Sequence, residues 1–230
     1  MVAVNPTGRR AFLTGLGALV VAGCSSTRTG KGGHPEVRSP LDTIGSAPTA
    51  ITSVVIVGDS ITEGSAVALN TTLLAAGVDD VHIEGKASRR IEVGNGKGTG
   101  PESGILAVSA LLAYGAAPSA WVIELGTNDV GSYASADEYR ALIDRILDLL
   151  PREVPLVWVN TYRAQYPDDT LLFNQELQER ITERGNAVVA DWYSIASAPD
   201  QMILRSDRLH PNENGQLALS LLVVAALQQL

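Results

Sequence analysis

The sequence runs to 230 residues, with 45% hydrophobic and 18% charged side chains, a composition that excludes a wholly disordered chain. Its formal net charge of -8 and its scattered Lys and Arg residues exclude a phosphate-backbone partner, so no nucleic acid is expected. One cysteine excludes an intramolecular disulfide.

Residues 1–23 read as a signal peptide. Arg9 and Arg10 precede an apolar run over residues 11–23, shorter than the roughly 20 residues that a bilayer span needs. The arginine pair followed by Ala11-Phe12-Leu13 resembles a twin-arginine export signal. Cys24 follows Val21-Ala22-Gly23 and resembles the lipidated cysteine of a bacterial lipobox. The expected location is therefore outside the cytoplasm, held to the membrane by lipid on Cys24. Residues 24–50 are rich in Ser, Thr, Gly and Pro, lack large apolar groups, and read as a flexible tether. His34 lies there and receives no role.

Residues 51–230 read as one domain. The β-branched run 51–57 predicts a central strand ending at Gly58-Asp59-Ser60. A helix then passes Val67 and Leu74 and closes near Gly77. Residues 81–83 form a short strand, with His82 as a strand-face residue. Residues 90–104, with Gly94, Gly96, Gly98 and Gly100, form a surface loop and a candidate wall of a cleft, and lack the Gly-Lys-Ser/Thr ending of a phosphate-cradling loop. A helix over 105–114 leads to a strand over 120–125, ending at Gly126-Thr127-Asn128-Asp129. Ser135 and Glu138 form a capping box before apolar residues at helical spacing. A strand over 154–159 follows the break at Pro151, and Leu171, Asn174, Leu177 and Ile181 share one face of the next helix. Residues 187–190 form a fifth strand, and the apolar stretch 216–227 a final buried helix. Five short apolar strands alternating with helices predict a parallel sheet covered on both faces, with its site at the carboxyl ends of the strands.

Ser60 stands just past a buried strand, where a new helix aims its first amides toward developing negative charge. Thr62 replaces the last glycine of a Gly-x-Ser-x-Gly elbow, and a plain helix N-cap is the other role open to Ser60. Asp207-Arg208-Leu209-His210-Pro211 places a carboxylate three residues before a histidine, close enough in a turn to orient the ring.

These motifs, taken together with Gly126-Thr127-Asn128-Asp129, resemble in order three blocks of the SGNH hydrolases, also called the GDSL esterase/lipase family. The resemblance covers about residues 51–226. It implies a three-layer α/β/α, flavodoxin-like five-stranded parallel sheet, with Ser60 as nucleophile, His210 as base and Asp207 orienting the histidine. It also implies an oxyanion hole made by the Asn128 side-chain amide and the Ser60 backbone amide. A further block supplies a glycine amide in the family, whereas the corresponding position here holds Ser88, with Gly85 as the other alignment. Arg89 reads either as a contact to an anionic or sugar substrate or as a solvated surface residue.

The expected activity is carboxylic ester hydrolysis through an acyl-enzyme, on a small-molecule or glycan ester with a short acyl or acetyl group, by a monomer needing no cofactor or metal. An O-acyltransferase acting on cell-envelope glycans would use the same residues. A non-catalytic glycan-binding module would not need an intact Ser60–His210 pair. A nucleotide binder would need a phosphate-cradling glycine pattern where Asp59 and Ser60 stand.

Overall fold

The computed structural model describes residues 45, 47–48, 50–94, 102–199 and 202–230. The signal, Cys24, His34, most of the tether, and Gly96, Gly98 and Gly100 lie outside the described residues.

Five strands form the sheet: β1 (Ser53–Gly58), β2 (Asp80–Gly85), β3 (Ala120–Glu124), β4 (Leu156–Val159) and β5 (Ala187–Ala190). The helices are α1 (Ser60–Ala75), α2 (Gly104–Ala113), α3 (Ala136–Leu147), α4 (Pro167–Arg184), α5 (Trp192–Ala196) and α6 (Glu213–Leu227). The sheet order is β2-β1-β3-β4-β5, and every pairing is parallel. This is the expected three-layer arrangement.

The two faces of the sheet bury different helices because strand side chains alternate. Val54 and Ile56 of β1 pack with Leu69 and Leu73 of α1 and with Leu219 and Val223 of α6. Val55 and Val57 point the other way, into a core with Val108 of α2, Tyr139 and Ile143 of α3, and Phe173 and Leu177 of α4. Parallel strands with both faces covered need this uninterrupted apolar composition.

Several details differ from the sequence reading. Leu171 is 51% exposed, and the buried face of α4 runs through Thr170, Phe173, Leu177 and Ile181. Those four keep the three- and four-residue steps of one helical stripe, and Leu171 falls about 100° away from Thr170. Val67 is likewise 82% exposed on α1. In the capping box, Ser135 Oγ accepts from the Glu138 N–H at 3.3 Å, while Glu138 Oε2 accepts from the Ala134 N–H at 2.9 Å and the Ser135 hydroxyl at 3.0 Å. The short helix α5 carries no periodic signal, since it is barely longer than one turn. Ala47 donates its N–H to Ala76 O at 2.8 Å, so the chain already touches the domain before β1.

The strands all end on one edge, and the residues that carry chemistry gather there. Gly58 and Gly85 are partners at that edge. A Cβ on Gly85 would sit 2.5 Å from Glu63 N, and one on Gly58 would collide with the Thr62 side chain. These glycines let the first turn of α1 lie directly against the strand ends.

Candidate active site

The site begins with how α1 starts. A helix leaves its first amides without intrahelical partners. Here Asp59 is the N-cap, and its Oδ1 accepts from the Ile61 N–H at 2.8 Å. Glu124, at the end of β3, accepts at Oε2 from the Asp59 N–H (3.4 Å), the Thr62 N–H (3.2 Å) and the Thr62 hydroxyl (2.9 Å). The Glu63 N–H reaches Asp59 O at 2.9 Å. The Ser60 N–H is left without a partner among the described residues. Ser60 is therefore not the cap: Asp59 does that work, which leaves the Ser60 hydroxyl for another bond.

That bond goes to His210. Ser60 Oγ lies 2.9 Å from His210 Nε2, and His210 Nδ1 lies 2.9 Å from Asp207 Oδ2. Asp207 Oδ1 accepts from the Leu209 and His210 N–H groups, each at 3.0 Å. Partial desolvation raises the Asp207 pKa, but the Leu209 amide, the His210 ring and the His210 amide outweigh it and hold the carboxyl down at about 2. Asp207 is thus an ionised acceptor at neutral pH, which fixes the proton on Nδ1 and leaves the Nε2 lone pair for the serine hydroxyl.

The loop that carries this pair is pinned at its base. Leu204 and Pro211 form an antiparallel bridge, and the Arg205 N–H donates to His210 O at 2.8 Å. Arg208 takes a left-handed φ of 57° as the loop turns. Asn212 caps α6 by accepting from the Gly215 N–H at 3.1 Å, and its Nδ2 donates to Met202 O and Leu204 O. Because α6 packs on α1, the histidine and the serine are located by the same helix pair; a buried Thr72–Ser220 hydroxyl bond at 3.0 Å joins them.

The other predicted residues are linked to the start of α1 through Asp59 and Arg89. Asn128 Nδ2 donates to Asp59 Oδ2 at 3.0 Å and to Arg89 O at 3.1 Å, so both of its amide hydrogens are engaged beside the start of α1. Ser88 is the third residue of a turn closed by Arg89 N–H to Lys86 O at 3.1 Å, and its φ is 62°. That position favours glycine, and Ser88 adopts the glycine-like conformation. The Ser88 N–H has no partner among the described residues. Gly85 instead ends β2 as a packing residue.

Arg89 is neither a substrate contact nor a solvated surface residue. It is 1% exposed, and its guanidinium donates to Gly58 O (3.1 Å), Glu84 O (2.6 Å), Glu84 Oε1 (2.8 Å) and Glu102 O (3.0 Å). It ties the ends of β1 and β2 to the segment before α2. Asp129 does the same for the Ser88 turn: it is fully buried, and it accepts from the Ile91 N–H at 3.0 Å and from Arg90 Nε at 3.2 Å. Burial pushes its carboxyl up to about 6, against the pull of the Ile91 amide and Arg90. His82 is exposed on the edge strand β2. Among the described residues, no cluster of His, Cys, Asp and Glu side chains has the makings of a metal site.

Residues 56–218, which contain Ser60, Ser88, Asn128, Asp207 and His210, match the GDSL-like Lipase/Acylhydrolase family. The chain belongs to that family. Solved structures agree on the fold. The lipase/acylhydrolase from Enterococcus faecalis has a TM-score of 0.60 at 20% identity, over 78% of this chain and 96% of that one. The C-terminal catalytic domain of Streptococcus pneumoniae peptidoglycan O-acetyltransferase A has a TM-score of 0.59 at 18% identity, over 81% of this chain and 94% of that one. A carbohydrate acetylesterase family member from Sinorhizobium meliloti has a TM-score of 0.57 at 17% identity, over 78% of this chain and all of its own. Comparison with curated proteins gives no match by sequence.

Within this GDSL-like chain, sequence reasoning overlooked three buried groups: the Asp59 cap, Glu124 and Asp129. A signal for Glu124 was present, since it is the one charge in an otherwise apolar strand whose every position is buried.

Proposed function

We propose that this GDSL-like protein is a serine esterase that hydrolyses carboxylic esters with short acyl or acetyl groups. The observation that carries this reading is the unbroken chain from Asp207 through His210 to Ser60, with both contacts at 2.9 Å. In the proposed reaction, His210 Nε2 takes the Ser60 hydroxyl proton as Oγ attacks the ester carbonyl carbon. The oxyanion is received by the Ser60 and Ser88 N–H groups, and by the Asn128 amide once it turns one of its two hydrogens away from Asp59 Oδ2 or Arg89 O. His210 then delivers the proton to the leaving alcohol. A water, deprotonated by the same histidine, releases the acid and restores Ser60.

The test is a fluorophosphonate probe together with a panel of acyl esters that includes acetylated cell-wall sugars. Labelling should fall on Ser60 and vanish in Ser60→Ala, along with ester turnover. Labelling at another serine, or turnover that survives Ser60→Ala, would refute the assignment.

A second reading is O-acyl transfer to a cell-envelope glycan. Its support is the fold shared with the pneumococcal O-acetyltransferase domain. Adding glycan acceptors to the ester assay separates the two readings, because a transferase yields acylated glycan at the expense of free acid. We further propose that the enzyme is exported and anchored by lipid on Cys24. Cys24→Ser should move the mature protein from the membrane fraction to the soluble one. Mass spectrometry that finds processed protein with an unmodified Cys24 would refute the anchor.

A further inference from the structure

Beneath Ser60 lie two carboxyl groups that the reaction does not use. Asp59 is fully buried and Glu124 is 3% exposed. Glu124 Oε2 accepts from the Asp59 N–H at 3.4 Å, so the two buried carboxyls stand side by side, and neither is paired with a cation among the described residues; burying both as carboxylates is costly, and one proton between them removes that cost. The positions of the other donors say which of the two carries it. Both oxygens of Asp59 are already acceptors, Oδ1 from the Ile61 N–H and Oδ2 from Asn128 Nδ2. Glu124 takes all three of its donors on Oε2 alone, and Oε1 is the oxygen free to carry a proton.

We propose that Glu124 is a positioning residue that, as the neutral acid, donates from Oε1 to Asp59 and so locks the first turn of α1 and the Asn128 amide around Ser60. The inference rests on the esterase reading for its link to turnover. Asp59 is the shared member: it caps α1 beside the nucleophile and holds one hydrogen of the Asn128 amide. Glu124 fixes Asp59 from behind and caps two further amides of the same turn.

The surroundings favour one charge here, not two. On the α1, β4 and α6 sides Glu124 borders a small apolar void with Leu69, Val159, Leu219 and Val223. The charged groups that act on Asp59 are His210 and Asp129, the second of which is itself acidic. Arg89 donates to Gly58 O nearby, but its charge is paired with Glu84 at 2.8 Å. Burial raises both carboxyls, and the neighbouring Asp59 drives Glu124 well above the usual carboxylate range. Raised acids at a catalytic centre are a recognised way of keeping a proton donor available at neutral pH.

The test compares Glu124→Leu with Glu124→Gln in the intact domain. Leucine removes the donor and the acceptor. It should lower kcat on the order of 10²-fold with KM little changed, the scale of a small misplacement of reacting groups. Glutamine keeps a neutral donor for Asp59 and an acceptor for the α1 amides, and should restore most of that kcat. A wild-type minus Glu124→Gln infrared difference spectrum at neutral pH should show the carbonyl band of a protonated carboxylic acid. Glutamine as impaired as leucine, or leucine as active as wild type, would overturn the inference. So would absence of the protonated-carboxyl band, whether or not any ester is turned over. A wild type that shows the band but hydrolyses no ester sinks the esterase reading alone.

Discussion

Two aspartates flank Ser60, and their surroundings push them in opposite directions. Asp59 immediately precedes the serine and is fully buried, and burial raises its pKa against the pull of the Ile61 amide and Glu124. Asp207 stands on an open loop with 47% of its side chain exposed, and its bonds to the Leu209 amide and His210 overcome a smaller desolvation to hold it at about 2. Residue type is the same, and the task differs. The exposed aspartate must be charged to steer the histidine, whereas the buried one belongs to a rigid cap that shares a proton with Glu124. Ser60 thus follows a buried, hydrogen-bonded cap, and His210 arrives on a loop stitched by hydrogen bonds.

The largest effect should come from removing the charge on the exposed side. Asp207→Asn keeps the shape but cannot enforce the Nδ1–H tautomer, and kcat should fall on the order of 10⁴-fold, as when an orienting carboxylate is lost from a triad. Steady-state kinetics on a soluble acetyl ester would measure it. Near-wild-type turnover would show that the loop alone orients His210.

The next effect lies on the buried side. Asn128→Ala should lower kcat by about 10²–10³-fold through loss of an oxyanion donor. Asn128→Asp should fall further, because it adds a carboxylate facing Asp59 Oδ2 as well as deleting the donor. KM should change little in both, provided that each melts near the wild type. If both variants turn over normally, Asn128 is a turn residue and the oxyanion is held elsewhere.

The smallest effect is on stability as pH changes. A carboxyl with a depressed folded pKa stabilises the fold above its unfolded pKa, and that contribution is lost as pH falls through the folded value. Asp207 therefore contributes above about pH 4 and is lost toward pH 2. A raised carboxyl works the other way, its stabilisation being complete below the unfolded pKa and lost as pH rises through the folded one. Asp129 behaves so near pH 6, and Asp59 has the same sign. The melting temperature should peak near pH 4, fall toward pH 2, and fall again as pH rises from about 4 to about 6. In Asp207→Asn the acid decline should shallow while the decline between about pH 4 and pH 6 persists. A thermal scan in which Asp207→Asn changes the upper limb instead would contradict these opposed signs.

Much of this was legible before folding was considered. The β-branched runs of β1 and β3 announce buried parallel strands, and β5 falls on its expected residues. Ser60, Asp207 and His210 stand in short motifs whose chemistry is local enough to read. Ser88 was legible as a departure, and the structure supplies the reason why it is tolerated: the turn holds it at φ 62°, where its N–H stays free. Arg89 was misread because all but one of its acceptors are backbone carbonyls, at Gly58, Glu84 and Glu102, the exception being the Glu84 carboxylate. No pattern in the sequence records which carbonyls will converge on a guanidinium.

The sequence by itself determined the order of strands and helices and the two-sided burial of the sheet, and it singled out Ser60, His210 and Asp207, which the fold brings into contact. Those follow from side-chain periodicity and from residue types whose chemistry is intrinsic. Only the tertiary structure decided that Asp59 and not Ser60 caps α1, that Glu124 reaches across from β3 to the same turn, and that Arg89 is buried. The cap is a local bond to Ile61, but the Glu124 and Arg89 contacts join segments far apart in the chain, and burial is what turns such bonds from optional into obligatory.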